Sequence, residues 1–531
     1  MAGMWRWLIF TVCLLAVSAV GSALDLNRVF ELRAGTETVR FNPTRTTDLR
    51  RLQGKVEEWL KDPDDESKHT RRGLEEIDRL IKSALAAPGS PERARLQVDL
   101  VETVLAVNNN ARPTIPNHFD AIMGPAALRQ LFRPIGIGEK PACDLEPGLS
   151  DDLSRRDPLP SDFWSRPADV TAEDLYNGFG RSALPRMDEK VWSYSAPKET
   201  AGMNPGYEVE SDGKRFKLKF GEFSSEPVVT RMFWALGFQA DPTDYSPGAK
   251  VAYDRRIFTE FNSRQPVRTT FTIFWFIPLY SMNLQRHRDP FDFVAAAVLR
   301  DGRRWSGAEL KQHLMVGTNF QPAVERQIDY IVTTPANVQF KDPRIKSIGP
   351  WDYGQLDHAD RREVRGAGLL AAWLGFWDTR FDNTKLRRVG SKSHPALVHY
   401  FADLGGGLGR TSGLIAWHGE DVNAFPWTFT APPLFQGRGR LARPLRIVDY
   451  SPVVPTPAFA AMTIDDARWM ARLIGQLRVA QITQALTASG YDAPTTRLYA
   501  QKLISRRNKM MADLGLGAEF PPLALEQERA K

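Results

Sequence analysis

The sequence predicts an α+β protein of two lobes, the first mainly antiparallel β and the second mainly helical, behind a helical N-terminal region. Three observations carry this. Apolar residues recur at helical spacing over residues 47–107, alternate at strand spacing from about residue 191, and return to helical spacing from residue 463. A Pro-rich stretch, Glu146 to Pro167, divides the first pattern from the second. The chain has 531 residues, 42% hydrophobic and 25% charged, enough for two or three domains with ordinary cores.

The N-terminus reads as a targeting segment. Arg6 precedes a mostly apolar run, Trp7 to Val20, and Gly21-Ser22-Ala23 fits a small-residue cleavage site. The expected signal peptide is residues 1–23. An uncleaved anchor is the alternative, although the run is short for a membrane span. Cleavage places the chain in an exported compartment, periplasmic or extracellular, with no transmembrane segment. Cys13 leaves with the signal, and Cys143 then has no internal disulfide partner. The formal charge of +7 is a mild basic balance that suits an anionic ligand. No nucleic-acid motif is present.

Residues 24–146 read as helical. Leu49, Leu52, Val56 and Trp59 share one face, as do Leu74, Ile77, Leu80 and Ile81. Ser90-Pro91-Glu92 is a helix start, followed by Leu96, Leu100, Val104 and Val107. Residues 147–185 are the connector. The first lobe, 186–345, opens with strands at Val191–Tyr194 and Tyr207–Glu210 around Gly202-Met203-Asn204-Pro205-Gly206. That turn reads equally as a phosphate-covering loop or a plain hairpin turn. Next, Phe216, Leu218 and Phe220 alternate with Lys217 and Lys219. Ser224-Ser225 should cap a helix carrying Glu226 and ending at Gly237. Pro266 to Tyr280, rich in aromatics, is expected as a central strand. Phe291–Leu299 reads as a strand and Ser306–Leu314 as a short helix.

The second lobe, 346–520, begins with a helix in which Leu370, Trp373, Leu374 and Trp377 recur at spacings of three and four. Asp378-Thr379-Arg380-Phe381-Asp382-Asn383 follows as a loop. Strands Leu386–Val389 and Ala396–Ala402 then lead to Asp403-Leu404-Gly405. His358 reads as a helix-start or surface residue, and His394 and His399 as structural rather than metal-binding. The Arg-rich loop Gly437–Arg446 reads as solvated, or as an anionic-substrate contact. Thr463 with Asp466 forms an acidic capping box, and three more helices follow. Residues 521–531 read as a polar tail.

The order of a strand lysine, a helix glutamate, an Asp-x-Arg loop, an Asn and an Asp-x-Gly resembles the atypical protein-kinase-like superfamily: phosphoinositide kinases, HipA-type serine kinases, CotH and secretory-pathway kinases. The chain is also similar to a group of uncharacterised exported bacterial kinase-like proteins. That likeness covers roughly residues 190–510 and includes Asn204-Pro205-Gly206-Tyr207 and His399-Tyr400-Phe401-Ala402. It departs from the eukaryotic pattern in lacking a His before the loop and in having Asp-Leu-Gly. The resemblance implies a kinase-like fold that moves a phosphoryl group from ATP to a protein or small-molecule hydroxyl with Mg²⁺. Asp378 would be the base and Arg380 the cation at the transferred phosphate. Lys219 (or Lys217) with Glu226 would hold the nucleotide phosphates, and Asn383 and Asp403 the metal. The alternatives are a catalytically inactive kinase-like binding module of the cell envelope, or transfer of a nucleotidyl group.

Overall fold

A computed structural model describes residues 26–61, 68–112, 158–428 and 450–525, short internal stretches excepted. The targeting segment, His394 and the Arg-rich loop lie outside the described residues, as do Gly202 and Met203 of the Gly202–Gly206 turn. The fold is α+β, with 12 helices among the described residues.

The N-terminal region is helical but opens with a hairpin, Phe30–Ala34 against Glu37–Phe41. Three helices follow, Thr46–Trp59, Lys68–Ala86 and Pro91–Asn110. The Ser90 hydroxyl accepts from the Arg93 N–H at the start of the third. These helices share a core with Ile348, Leu386 and Leu397 of the domain that follows. Asn110 donates to the Ile348 carbonyl at 2.9 Å, and Asn109 to the Pro350 carbonyl at 3.0 Å. The region is therefore built into the body of the protein by apolar burial and paired polar groups.

A nine-stranded sheet runs Arg304–Trp305, Val294–Leu299, Ile328–Thr333, Lys250–Ala252, Val191–Pro197, Gly206–Ser211, Lys214–Lys219, Ala336–Lys341, Thr243–Ser246. Its pairs are antiparallel except Val191–Pro197 with Lys250–Ala252. Its core holds Trp192, Val209, Phe216, Leu218, Val251 and Ile331. Period-two alternation predicted that apolar face correctly: Phe216 and Leu218 point into it. The aromatic stretch expected as a central strand instead forms a separate hairpin, Arg264–Phe274 with Ile277–His287, outside the large sheet. Apolar composition alone does not choose a strand's partner. The short helix is Gly307–Leu314, capped reciprocally by Ser306 and Glu309.

A four-stranded sheet, Lys346–Gly349, Thr384–Gly390, Pro395–Phe401 and Gln239–Ala240, underlies the other half. Helices Arg362–Leu374, Ile464–Gly475, Val479–Ala488 and Ala493–Asp513 pack beside it in one large core. The Thr463–Asp466 capping box is present. Helix Arg362–Leu374 stops short of the expected Trp377. Gly375, at φ 62°, makes a left-handed cap, and the Phe376 N–H bonds the Ala371 carbonyl at 2.8 Å. Trp377 stays buried although it lies past the helix, so its apolar spacing reported burial rather than helix.

Two further stretches differ from expectation. Within the Pro-rich connector, Phe163 and Trp164 are fully buried, and Trp164 Nε1 donates to the Leu236 carbonyl at 2.8 Å. At the polar tail, the Leu523 N–H bonds Asn508 Oδ1 at 2.9 Å, fastening its first residues to the last helix. No helix among the described residues is long and apolar enough to cross a membrane.

Candidate active site

The site forms where the end of strand Lys214–Lys219 meets the loop after Phe401. Lys219 is 3% exposed, and its Nζ lies 2.7 Å from Glu226 Oε2. The same ammonium also contacts Asp403 Oδ1. Burial alone would lower the Lys219 pKa, but Asp403 and Glu226 together hold it well above the usual lysine value. Lys219 in turn holds the Asp403 carboxyl well below the usual carboxylate range. Burial pushes Glu226 upward, with Lys219 opposing. Asn337, fully buried on the neighbouring strand, donates a second hydrogen bond to Glu226 Oε2.

Each side chain is placed by a definable local device. Register sets Lys219 opposite Gly206 on one side and Asn337 on the other. Glu226 stands in the first turn of helix Ser225–Ala235. The Ser224 hydroxyl does not cap that helix. Glu420 does so from a distant segment: its Oε1 accepts from the N–H groups of Ser225 at 2.9 Å and Ser224 at 3.1 Å. Ser225 Oγ donates instead to the Gly405 carbonyl at 2.7 Å, tying the helix start to the Asp-Leu-Gly loop. Asp403 sits at φ 51°, in the left-handed region that Asp tolerates better than most residues. A Cβ on Gly405 would overlap the Glu222 carboxyl, so only glycine allows this approach.

Asp378, Arg380 and Asn383 lie on the adjoining loop. Asn383 Nδ2 donates to the Asp378 carbonyl at 2.9 Å, and the Ala402 N–H donates to the Asn383 carbonyl at 2.9 Å. Asn383 is thereby held beside the strand that delivers Asp403. Trp377 N–H to the Gly406 carbonyl, 3.1 Å, joins the two loops at their bases. Arg380 is engaged at both ends: Nε with Asp378 Oδ1 at 2.8 Å, and Nη1 with Asp382 Oδ2 at 3.1 Å.

Of the two candidate lysines, Lys219 makes the Glu226 contact. Lys217 lies two residues before it on the same strand face, and burial, then the neighbouring Lys219 charge, lowers its pKa. Two further groups were not singled out from sequence. Lys198 is 6% exposed and donates to the Asn204 carbonyl at 2.7 Å; burial, with Lys217 and Lys219 adding, brings it down to about 8. Glu222 accepts from Asn204 Nδ2 at 2.9 Å; burial, with Asp403 adding, pushes it up to about 8. A lysine just past a strand end and a glutamate in a turn carry no local signal; only strand pairing brings them here. Chemically the site gathers three lysines, Lys198, Lys217 and Lys219, with the carboxyl groups of Glu222, Glu226 and a half-exposed Asp403. No family model matches the chain, and no curated protein or solved structure matches it.

Proposed function

We propose that this site binds a magnesium–ATP complex and passes its terminal phosphoryl group to a hydroxyl of a protein or small molecule, in the manner of the kinase-like superfamily. The carrying observation is the placement of Lys219 between Glu226 and Asp403. A buried lysine with two carboxylate partners is costly to desolvate, and such groups concentrate at functional sites. Lys219, with Lys217 and Lys198 behind it, supplies the positive field a polyphosphate needs.

The donor set fits the ion. Magnesium takes hard oxygen ligands and few protein ones. Asp403 is ionised and about half exposed at its side chain, and Asn383 is fixed through its Nδ2, leaving its Oδ1 as the acceptor. When bound, the ion neutralises charge developing on the phosphates. Asp378 would orient and deprotonate the acceptor hydroxyl. Arg380, already fixed by Asp378 and Asp382, would balance charge at the transferred group. Incubation of the purified chain with labelled ATP, Mg²⁺ and candidate acceptors tests this. Asp403→Ala and Asp378→Ala should each remove transfer; full activity in both variants would reject the assignment.

One observation favours a second reading, a binding module without transfer activity. Arg380 holds Asp378 through both oxygens, Nε at 2.8 Å and Nη2 at 3.5 Å, which occupies the atoms that would meet an acceptor hydroxyl. Nucleotide binding without product in the same assay is the outcome that reading requires.

A further inference from the structure

A second cluster lies at the seam between the N-terminal helices and the four-stranded sheet. Glu102 comes from helix Pro91–Asn110, His358 from the turn before helix Arg362–Leu374, and His399 from strand Pro395–Phe401. His399 is fully buried, His358 is 1% exposed and Glu102 8%. Both histidines direct Nε2 at the one carboxylate: His358 Nε2 lies 3.0 Å from Oε1, and His399 Nε2 lies 3.5 Å from Oε2.

The opposite ring nitrogens face acceptors. His358 Nδ1 is 2.7 Å from the Asp352 carbonyl oxygen, which can only accept. Nδ1 therefore carries a proton, and Nε2 is the ring nitrogen turned toward Glu102. His399 Nδ1 is 2.9 Å from Asp162 Oδ2, yet neither nitrogen of this buried ring has an in-line hydrogen-bond partner. Two imidazole Nε2 atoms and one carboxylate thus converge at a buried point between the N-terminal helices and the sheet. Phe163 stacks on His399 at 3.7 Å, and Trp351 meets both rings edge-on. Arg361 is committed to Asp357 and Glu363.

We propose that Glu102, His358 and His399 bind a divalent transition-metal ion, zinc by its ligand chemistry, that pins the N-terminal helices to the strand leading to Asp403. The nitrogen and carboxylate oxygen atoms all lie within 4.8 Å of one another. A tetrahedral ion with bonds of about 2.0–2.1 Å wants ligand atoms roughly 3.3 Å apart, which a set lying within 4.8 Å reaches by small side-chain shifts. Two imidazoles and a carboxylate are a borderline set suited to zinc. An acceptor on each Nδ1 is the outer arrangement that fixes a ligating histidine's tautomer and orientation. A dication also matches the charge of Glu102 and Asp162. Asp162 itself is about one-third exposed at its side chain.

The test uses the full chain, treated with chelator and then given zinc or, separately, cobalt. One zinc per chain should survive gel filtration, and the cobalt form should show the strong visible absorption of a four- or five-coordinate site. Asp162→Asn leaves all three ligands and should weaken zinc about 10–100-fold in a competition titration. His358→Gln and His399→Gln should abolish stoichiometric binding, while Asp403→Ala keeps it. Zinc that washes off, a weak octahedral cobalt spectrum, or stoichiometric zinc in both histidine variants would overturn the site and leave a proton-bridged cluster. Stoichiometry and spectrum come from the unaltered chain, so a variant that fails to fold does not remove the test.

Discussion

Lys219 reaches Asp403 across 184 residues of sequence, and the same ammonium holds Glu226 at 2.7 Å. One cation thus joins the large sheet, a helix start and the Asp-Leu-Gly loop. Its removal leaves Glu226, 1% exposed, with the Asn337 amide as its one remaining side-chain hydrogen bond among the described residues. Breaking a buried pair from one side costs about 3–5 kcal/mol. Lys219→Met should lower unfolding stability by about that much in urea titration at neutral pH. Lys219→Met with Glu226→Leu should recover most of the loss. A single-variant loss below ~1 kcal/mol would show the pair to be solvated.

Lys198 makes stability depend on pH in a predictable direction. Its folded value, about 8, lies below the unfolded lysine value of about 10.4. Between these the unfolded chain binds more protons at this site, so the native state gains stability as pH rises through the window. Lys198→Met should lose that gain. Urea midpoints for both proteins from pH 7 to 10.5 would check it, and parallel profiles would refute the assignment.

Gly349 probes the seam between the N-terminal helices and the four-stranded sheet. A Cβ there would overlap the Ala106 carbonyl on helix Pro91–Asn110. Overpacking of this kind costs about 1–3 kcal/mol. Gly349→Ala should destabilise by that amount and speed proteolysis of the N-terminal region. An unchanged melting temperature would mean that the helices only rest on the domain.

The local parts of this architecture were legible because they rest on spacing. Leu49, Leu52 and Val56 name a helix face, Phe216 and Leu218 a strand face, and both are buried as read. The hairpin Phe30–Phe41 escaped because two five-residue strands offer little alternation before a long helical pattern. The six candidate residues were chosen by order along the chain, and the structure brings Lys219, Glu226 and Asp403 into contact and Asp378, Arg380 and Asn383 onto one adjoining loop. Glu420 and Asn337 were not legible at all. A carboxylate capping a helix 195 residues upstream leaves no mark on its own neighbours. His358 does open a short 3-10 helix, His358–Asp360, as one reading had it, but its burial was not legible for a related reason. Its partner Glu102 is 256 residues away, and burial there is a tertiary fact.

The central claim is that Lys219 and Asp403 together hold a magnesium nucleotide. Calorimetry of the full chain with a non-hydrolysable ATP analogue, with and without Mg²⁺, tests it most directly. The expected result is saturable, Mg²⁺-dependent binding. Thermal stabilisation should accompany it, about 2.7 kcal/mol at a hundredfold excess over Kd, and both should vanish in Asp403→Ala. Heats and melting temperatures unchanged by any nucleotide, or equal in Asp403→Ala and the unaltered protein, would contradict the claim.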